Sequence, residues 1–382
     1  METTTNSTQN NTTEWPLYLA FELGDRHWKL GFTIGLGQRP RERTIPAGNV
    51  VKLQAEVNAA RQRFGLSETH PLVSCYEAGR DGFWQARYLS QQGIENVVVD
   101  ASSIEVKRRY RRAKTDRLDL NKLLTMLIRY HSGEAKVWHV VHVPSVAQED
   151  QRQLHRELLR LKGERTSHIN RLKGLLVGQG VRLAVKADFL QQLAQVRLWD
   201  GTALPPGLQA RLTREYERLA LVKRQIKALE VTRREAIRHS NDPSMVMVRQ
   251  LLRLKGIGPN TAWLYTMEFF SWRQFRNRRE LGALAGLTPT PYQSGSSAHE
   301  QGIDKSGNRY IRAIAIEIAW RWLFFQPESA LSQWYQQRFG QGSSRLRKIG
   351  IVALARKLLI ALWRYLQTGE IPPGAVLSAE TL

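Results

Sequence analysis

The hydrophobic period of the chain changes once, near residue 146, and that change limits the architecture more than any other feature. Before it, short apolar runs of strand length alternate with stretches of helical spacing; after it, leucines recur at helical intervals through long charged segments. Such a pattern predicts an α/β fold in the first part and an all-α fold in the rest.

In the first part, LYLAFEL (17–23), Gly24-Asp25-Arg26 and HWKLGFTI predict a hairpin of two strands. Residues 50–64 place Val51, Leu53, Val57, Ala60 and Phe64 on one helical face. PLVSCYEAG (71–79) predicts a strand, RDGFWQARYLSQQG a helix stopped at Gly93, and NVVVD (96–100) a strand of the buried type. The result is a mixed sheet partly covered by helices. A basic stretch, VKRRYRRAKTDR (106–117), precedes a helix from about 118 to 130 carrying Leu120, Leu123, Leu124 and Leu127. VWHVVHVP (137–144) predicts a last strand, ended by Pro144.

From 146 to 240, two charged helices with leucines near heptad spacing flank the break at Trp199–Pro206, which predicts an extended, self-associating coiled-coil arm. The remainder is helical at both ends, with a Gly- and Ser-rich loop at 285–308 and a short exposed tail beginning at TGEIPPGA. The expected division is a polar, disordered tail (1–15), an α/β domain (16–145), the arm (146–240), a mainly helical domain (241–370) and a tail (371–382).

Lys plus Arg number 57 against 34 Asp plus Glu, a formal net charge of +23. That charge repels itself unless a polyanion neutralises it. Nucleic acid is the leading partner and an anionic membrane surface the competitor, with no apolar run long enough to span a bilayer. The single cysteine, Cys75, excludes an intrachain disulfide and a thiolate zinc site, and the polar first residues lack the regions of a signal peptide, so a cytoplasmic protein is expected.

Three segments carry candidate chemistry. Glu22 stands inside an apolar strand, Glu77 ends another, and Asp116 and Asp119 stand three apart in KTDRLDLNKL. Carboxylates at buried strand ends need partners, and a divalent ion such as Mg²⁺ would suit, though salt-bridged surface acids would give the same pattern. Lys255-Gly256-Ile257-Gly258-Pro259 is a Gly-rich turn entering a helix, of the helix-hairpin-helix kind that grips a nucleic-acid backbone; a plain interhelical turn is the alternative. Ser294, Ser296 and Ser297 lie in the Gly-containing loop, followed by Arg309 and Arg312; the residues alone show no Ser-His-Asp arrangement there. His139 and His142 read as structural, and Trp320, Trp322, Trp334 and Trp363 as core residues. Arg345, Arg347, Lys348, Arg356 and Lys357 predict a basic surface that tracks phosphates.

Together LAFELGDRHWKL, CYEAG, KTDRLDLNKL, LKGIGPNTA, and GLTPTPYQSG with GNRYIR resemble the DEDD-type insertion-sequence transposases, the family of bridge-RNA-guided DNA recombinases, over about residues 18–365. The resemblance implies a RuvC-like, RNase H-fold domain at 16–145 with Glu22, Glu77, Asp116 and Asp119 as its acidic Mg²⁺ site. Glu22 departs from the more usual Asp and is one methylene longer. It places the catalytic serine on Ser294, with Ser296 and Ser297 as alternatives, and implies a phosphoserine intermediate. It further implies a tetramer, a dimer of dimers, in which serine and acids come from different domains. The partners implied are double-stranded donor and target DNA and a structured guide RNA. The basic run Lys107, Arg108, Arg109, Arg111, Arg112 and Lys114 is expected to contact nucleic acid, with Lys255, Gly256, Gly258, Arg309 and Arg312. Two other readings compete: a Holliday-junction resolvase-like nuclease without serine catalysis, and a non-catalytic nucleic-acid-binding scaffold.

Overall fold

The computed structural model describes residues 15–105, 116–294 and 297–378. The chain divides into two compact units, Met1–Pro144 and Ser145–Leu382.

The first unit opens with strands β1 (Leu17–Leu23), β2 (His27–Thr33) and β3 (Arg41–Pro46), then helix α1 (Val50–Arg63), β4 (Leu72–Glu77), α2 (Trp84–Gln91), β5 (Glu95–Val99) and α3 (Asp116–His131). The five strands form one sheet in the order β3-β2-β1-β4-β5. Its first three strands are antiparallel and β1, β4 and β5 are parallel, the mixed sheet expected. Side chains of a strand alternate between faces. Leu17, Leu19 and Phe21 therefore pack on one side with Leu53 and Val57 of α1 and Leu89 of α2. Tyr18 and Ala20 face the other side with Val73, Cys75 and the α3 leucines Leu120, Leu123, Leu124 and Leu127. β1 is apolar and buried from Leu17 to Phe21 because both its faces are covered there. Gly31 of β2 lets α3 approach closely, since a Cβ there would come within 2.9 Å of Leu120.

Two expectations for this unit are corrected. β3, RERTIP, was not expected. It is an edge strand, where charge is tolerated, and its one buried cation, Arg41, is held by Glu56 at 2.5 Å. Residues 137–144 do not form a strand. They make a single antiparallel bridge, Val99 to Val140, with Val141 N–H donating to the Val98 carbonyl. Val137 and Trp138 are consecutive and both buried, so the alternation a strand needs is broken at its start.

The second unit continues with α4 (Val146–Asp150), α5 (Gln153–Val177), α6 (Phe189–Gln195) and α7 (Pro206–His239). α5 and α7 pack against each other as an antiparallel hairpin. Leu158 and Leu161 meet Val222 and Ile226, while Leu172 and Leu176 meet Leu212 and Leu219, with Phe189 of α6 between. Cross-links run from Lys162 to Glu230 (2.9 Å) and from His168 and Arg171 to the buried Glu215.

Helices α8 (Pro243–Leu252) and α9 (Pro259–Tyr265, continued as a π-turn over Thr266–Phe270) follow, then α10 (Arg278–Leu284). Strands β6 (Pro289–Ser294) and β7 (Ser297–Ile303) precede α11 (Arg309–Phe325), α12 (Ala330–Tyr335) and α13 (Ser344–Thr368). The core includes Leu251, Trp263, Phe269, Ile311, Trp322, Leu354 and Leu358. Glu268, 1% exposed on the π-turn, accepts from His155 Nε2 (2.8 Å) and from Arg156 Nε (2.6 Å), so it fastens α5 to this core.

The expected loop at 285–308 is instead an antiparallel β-hairpin, with Tyr292 opposite His299 and Ser294 opposite Ser297. Pro289 and Pro291, beside Ser and Gly, masked its strand pattern; proline is tolerated in a ribbon whose outer edge needs no donor. The tail beginning at TGEIPPGA is exposed along most of its length and is fastened at a few points. Pro372 is buried, Leu377 bridges Leu254, and Lys255 N–H donates to the Val376 carbonyl at 3.1 Å.

Candidate acidic centre, serine hairpin and glycine turn

Two of the four predicted acids stand at neighbouring strand ends. β1 and β4 run parallel, their last register pair is Phe21 beside Tyr76, and Glu22 and Glu77 are the residues that follow on the two strands. Glu22 shares its strand face with Tyr18 and Ala20, and Glu77 shares its face with Val73 and Cys75, which is the side covered by α3. α3 runs antiparallel to β1. Its last residue, His131, meets the Tyr18 hydroxyl at 3.0 Å at the start of β1, and the Leu123 carbonyl lies 3.8 Å from Cys75 Sγ. Its first turn, which holds Asp116 and Asp119, is thereby delivered to the end of the sheet where β1 and β4 finish. Asp119 precedes Leu123 by four residues, on the helical face that packs on the sheet, and Asp116 is the first residue of the helix.

Glu22 and Asp119 are half-buried and Glu77 is exposed. The donor set is all carboxylate oxygen, which suits a hard divalent cation. Among the described residues, however, no group of three or more candidate ligands stands close enough to hold a metal, and the side chain of Asp116 lies outside them. The residues thus suit Mg²⁺ in the chemistry of their donors, and no coordination shell is formed among the described residues. Asp25, in the turn between β1 and β2, is engaged elsewhere, 3.0 Å from Arg80. Lys29 is a residue that sequence reasoning missed. It is the direct register partner of Glu22 on β2 and shares the α3-facing side with Gly31; strand parity would have found it. The basic run Lys107, Arg108, Arg109, Arg111, Arg112 and Lys114 lies outside the described residues. His139 and His142 are exposed and belong to no such ligand group among the described residues.

Ser294 is exposed at the end of β6. Ser297 stands opposite it in register, and Ser296 lies outside the described residues. The base of the ribbon is clamped to the helices. Asp304 N–H donates to the Thr288 carbonyl (2.8 Å) and Asn308 N–H to the Leu284 carbonyl (2.7 Å). Gly286, with φ +65°, and Gly307 pass so close that a Cβ on Gly307 would overlap the Gly286 nitrogen and the Leu284 carbonyl oxygen. Arg312 Nη1 donates to the Lys305 carbonyl at 2.9 Å, so this arginine braces the ribbon base. Arg309 is exposed and stacks over Tyr310, 5.0 Å from the ring centre.

The Lys255–Gly258 turn joins α8 to α9, as expected. Gly256 needs to be glycine, because its φ is +93° and a Cβ would come within 2.9 Å of Phe325. Gly258 faces open space and caps α9. The Lys255 side chain is exposed, while its carbonyl accepts from Gln326 Nε2 at 2.8 Å. Arg345, Arg347 and Lys348 are exposed on the first turns of α13; Lys357 lies over Trp334 and Arg356 against Gly282. Of the four tryptophans expected in the core, Trp322 is buried, Trp334 and Trp363 pack at its edge, and Trp320 is 49% exposed.

Comparison with known proteins agrees with the resemblance in the sequence motifs. The profile of the transposase IS116/IS110/IS902 family matches residues 248–336, from α8 to α12. A Sinorhizobium fredii protein designated transposase y4rJ is 41% identical over 376 residues, covering 94% of each chain. The transposase for insertion sequence element IS1328 of Yersinia enterocolitica is 25% identical over 311 residues, 80% of this chain and 87% of its own. The transposase for insertion sequence element IS1111A of Coxiella burnetii is 28% identical over 176 residues, 46% of this chain and 47% of its own.

Proposed function

The chain belongs to the IS116/IS110/IS902 family of transposases, and from that premise we propose that it cleaves and exchanges DNA strands through a phosphoserine intermediate at Ser294, assisted by a Mg²⁺-binding acidic centre at Glu22, Glu77, Asp116 and Asp119. The observation that supports the acidic half is the parallel pairing of β1 with β4, which leaves Glu22 and Glu77 next after the last pair, Phe21–Tyr76, on the side of the sheet that α3 covers. Strand order β3-β2-β1-β4-β5, an antiparallel meander followed by parallel strands, supports an RNase H-like, RuvC-type domain over 16–145.

Ser294 suits the nucleophile because it is exposed at the end of a ribbon whose base is rigidly clamped. Its Oγ attacks the scissile phosphorus, the Oγ–P bond forms, the P–O bond to the leaving deoxyribose oxygen breaks, and that oxygen takes up a proton. The ester keeps the free energy of the phosphodiester, so rejoining needs no nucleotide cofactor. Mg²⁺, when bound, supplies charge to the phosphate oxygens. Glu22 and Glu77 would bind and orient it, and Asp116 and Asp119 would complete its ligands. Lys255 and the glycine turn, with Arg309, would hold phosphates; Arg312 would act there through the ribbon it braces. The Lys107–Lys114 run would hold a structured guide RNA, which reads the donor and target duplexes by base pairing. We take the α5–α7 hairpin as a coiled-coil arm that assembles a dimer of dimers.

The test uses the purified protein, end-labelled DNA of the element's termini and the transcribed flanking RNA. A covalent protein–DNA adduct on a denaturing gel is expected for the native chain and absent for Ser294→Ala. Glu77→Gln is expected to lower adduct formation by a hundredfold or more, on the order of a lost charge-stabilising group. Recombination at the native rate by Ser294→Ala would sink the serine assignment and favour a resolvase-like nuclease. Full activity of Glu77→Gln would sink the acidic centre.

A further inference from the structure

α11 buries Ile311, Ala315, Ile318, Ala319 and Trp322 in the core of its unit. One turn apart on its outer face stand Trp320 and Phe324, 49% and 78% exposed. Large aromatic rings paired in solvent on a well-packed helix do nothing for that helix and mark a contact surface. Trp15 and Trp199, also exposed, have no such neighbour one turn away on a helix.

The surroundings of the pair say what kind of contact. Phe324 is held edge-on against Phe325, with centroids 4.9 Å apart and planes at 87°. Arg321 lies over the Phe325 ring at 5.7 Å. Phe325 packs against Gly256, and Gln326 Nε2 donates to the Lys255 carbonyl. The two open rings therefore share a neighbourhood with two exposed cations, Arg321 and Lys255, and with the glycine turn. Glu317, one turn before Arg321, is the acid on the same face. Cations interleaved with open aromatic faces suit a strand whose bases are unpaired. Each base has a π face to stack, and its phosphates meet the cations. Residues four apart on a helix rise by about 6 Å, a spacing that lets successive bases engage successive rings. A duplex, with its bases stacked inside, offers these rings nothing.

We propose that Trp320 and Phe324 form a stacking platform for unpaired bases of a DNA strand whose phosphates are held by Arg321 and Lys255. This rests on the DNA-exchanging reading above, because cleavage and exchange leave nucleotides unpaired near the reacting ends. The platform uses none of the residues assigned to the serine ribbon or the acidic centre, and it binds rather than reacts.

The experiment measures anisotropy of the full chain with a labelled oligothymidylate, a duplex of the same length and an oligouridylate. The Trp320→Ala, Phe324→Ala double variant is expected to weaken single-stranded DNA binding by about tenfold or more, and to leave duplex binding within about twofold. Trp320→Phe, which keeps a ring, is expected to restore most of the loss. Both positions are exposed, so unchanged thermal unfolding is expected to accompany the effect. Unchanged single-strand affinity overturns the platform, as does equal loss on duplex. Loss confined to the RNA probe overturns its assignment to DNA. A drop in sedimenting mass with unaltered strand binding makes the face an interface between copies instead. If the native chain binds duplex but not single strand, the platform fails while the DNA reading stands. If it binds neither, the DNA reading fails first.

Discussion

At the scale of single residues, Glu268 is a buried charge held by two partners, His155 and Arg156. Burial alone would raise its pKa, but hydrogen bonds and charge from His155 and Arg156 prevail and hold it down to about 2. A carboxyl whose folded pKa is depressed stabilises the fold above its unfolded pKa, and that contribution is lost as pH falls through the folded value. The contribution is on the order of 3 kcal/mol, present in full above about pH 5 and gone below about pH 2. Urea unfolding as a function of pH should show this slope in the native chain and a flatter one in Glu268→Gln. Glu268→Ala leaves Arg156 and His155 facing a buried gap and should lower stability by about 3–5 kcal/mol, read as a fall in the urea midpoint. Nothing in the sequence flags this residue. TMEFF is an apolar run with one acid, and its partners lie more than a hundred positions away on α5.

At the scale of elements, the β6–β7 ribbon sets where Ser294 can go. Its base depends on Gly307 passing Gly286 without a side chain between them. Gly307→Ala must shift the ribbon base, and is expected to lower adduct formation at least tenfold while costing about 1–3 kcal/mol of stability, by overpacking. Equal activity of this variant on a denaturing gel would show that ribbon placement is not limiting. Arg312→Ala removes the guanidinium that ties the Lys305 carbonyl. It is expected to lower adduct formation more than it lowers duplex affinity, whereas a pure phosphate contact would do the reverse.

How far the elements were legible follows from what signals them. β1, β2 and α1 could be read because alternation and helical spacing are strong where a face is buried. β3 could not, because an edge strand exposes RERTIP and its apolar signal is a single Ile45. The ribbon could not, because β6 is exposed and broken by prolines, and β7 opens on a serine. Of the proposed acidic centre, residue types and spacing were legible, and that Glu22 and Glu77 follow a shared register pair needed the parallel β1–β4 pairing, which no local pattern encodes.

At the scale of the whole molecule, a net charge of +23 is the dominant fact. Duplex binding that neutralises six to ten phosphates should weaken by about 10³–10⁵ between about 50 and 200 mM salt. A flat response across that range would mean that backbone contacts do not dominate. Among the described residues no helix is long and apolar enough to cross a membrane. The basic character was plain in the composition. The chain divides into two units, Met1–Pro144 and Ser145–Leu382, with the α5–α7 hairpin and the C-terminal helices in the same unit. The family relation rests instead on particular motifs, which physics alone left ambiguous.

The glycine turn at 255–258 is finished by residues far downstream. Lys255 N–H reaches the Val376 carbonyl, Ser378 N–H reaches the Arg253 carbonyl, and Gln326 Nε2 donates to the carbonyls of both Lys255 and Val376. On a ribosome, α8 and α9 emerge more than a hundred residues before the segment that locks the loop between them. A nascent chain therefore carries the turn without these C-terminal bonds until the last residues of its unit are made, and the loop is fastened after the helices on either side of it. Stalled nascent chains ending before Pro372 should show rapid deuterium uptake at the amide of Lys255, and longer ones protection there.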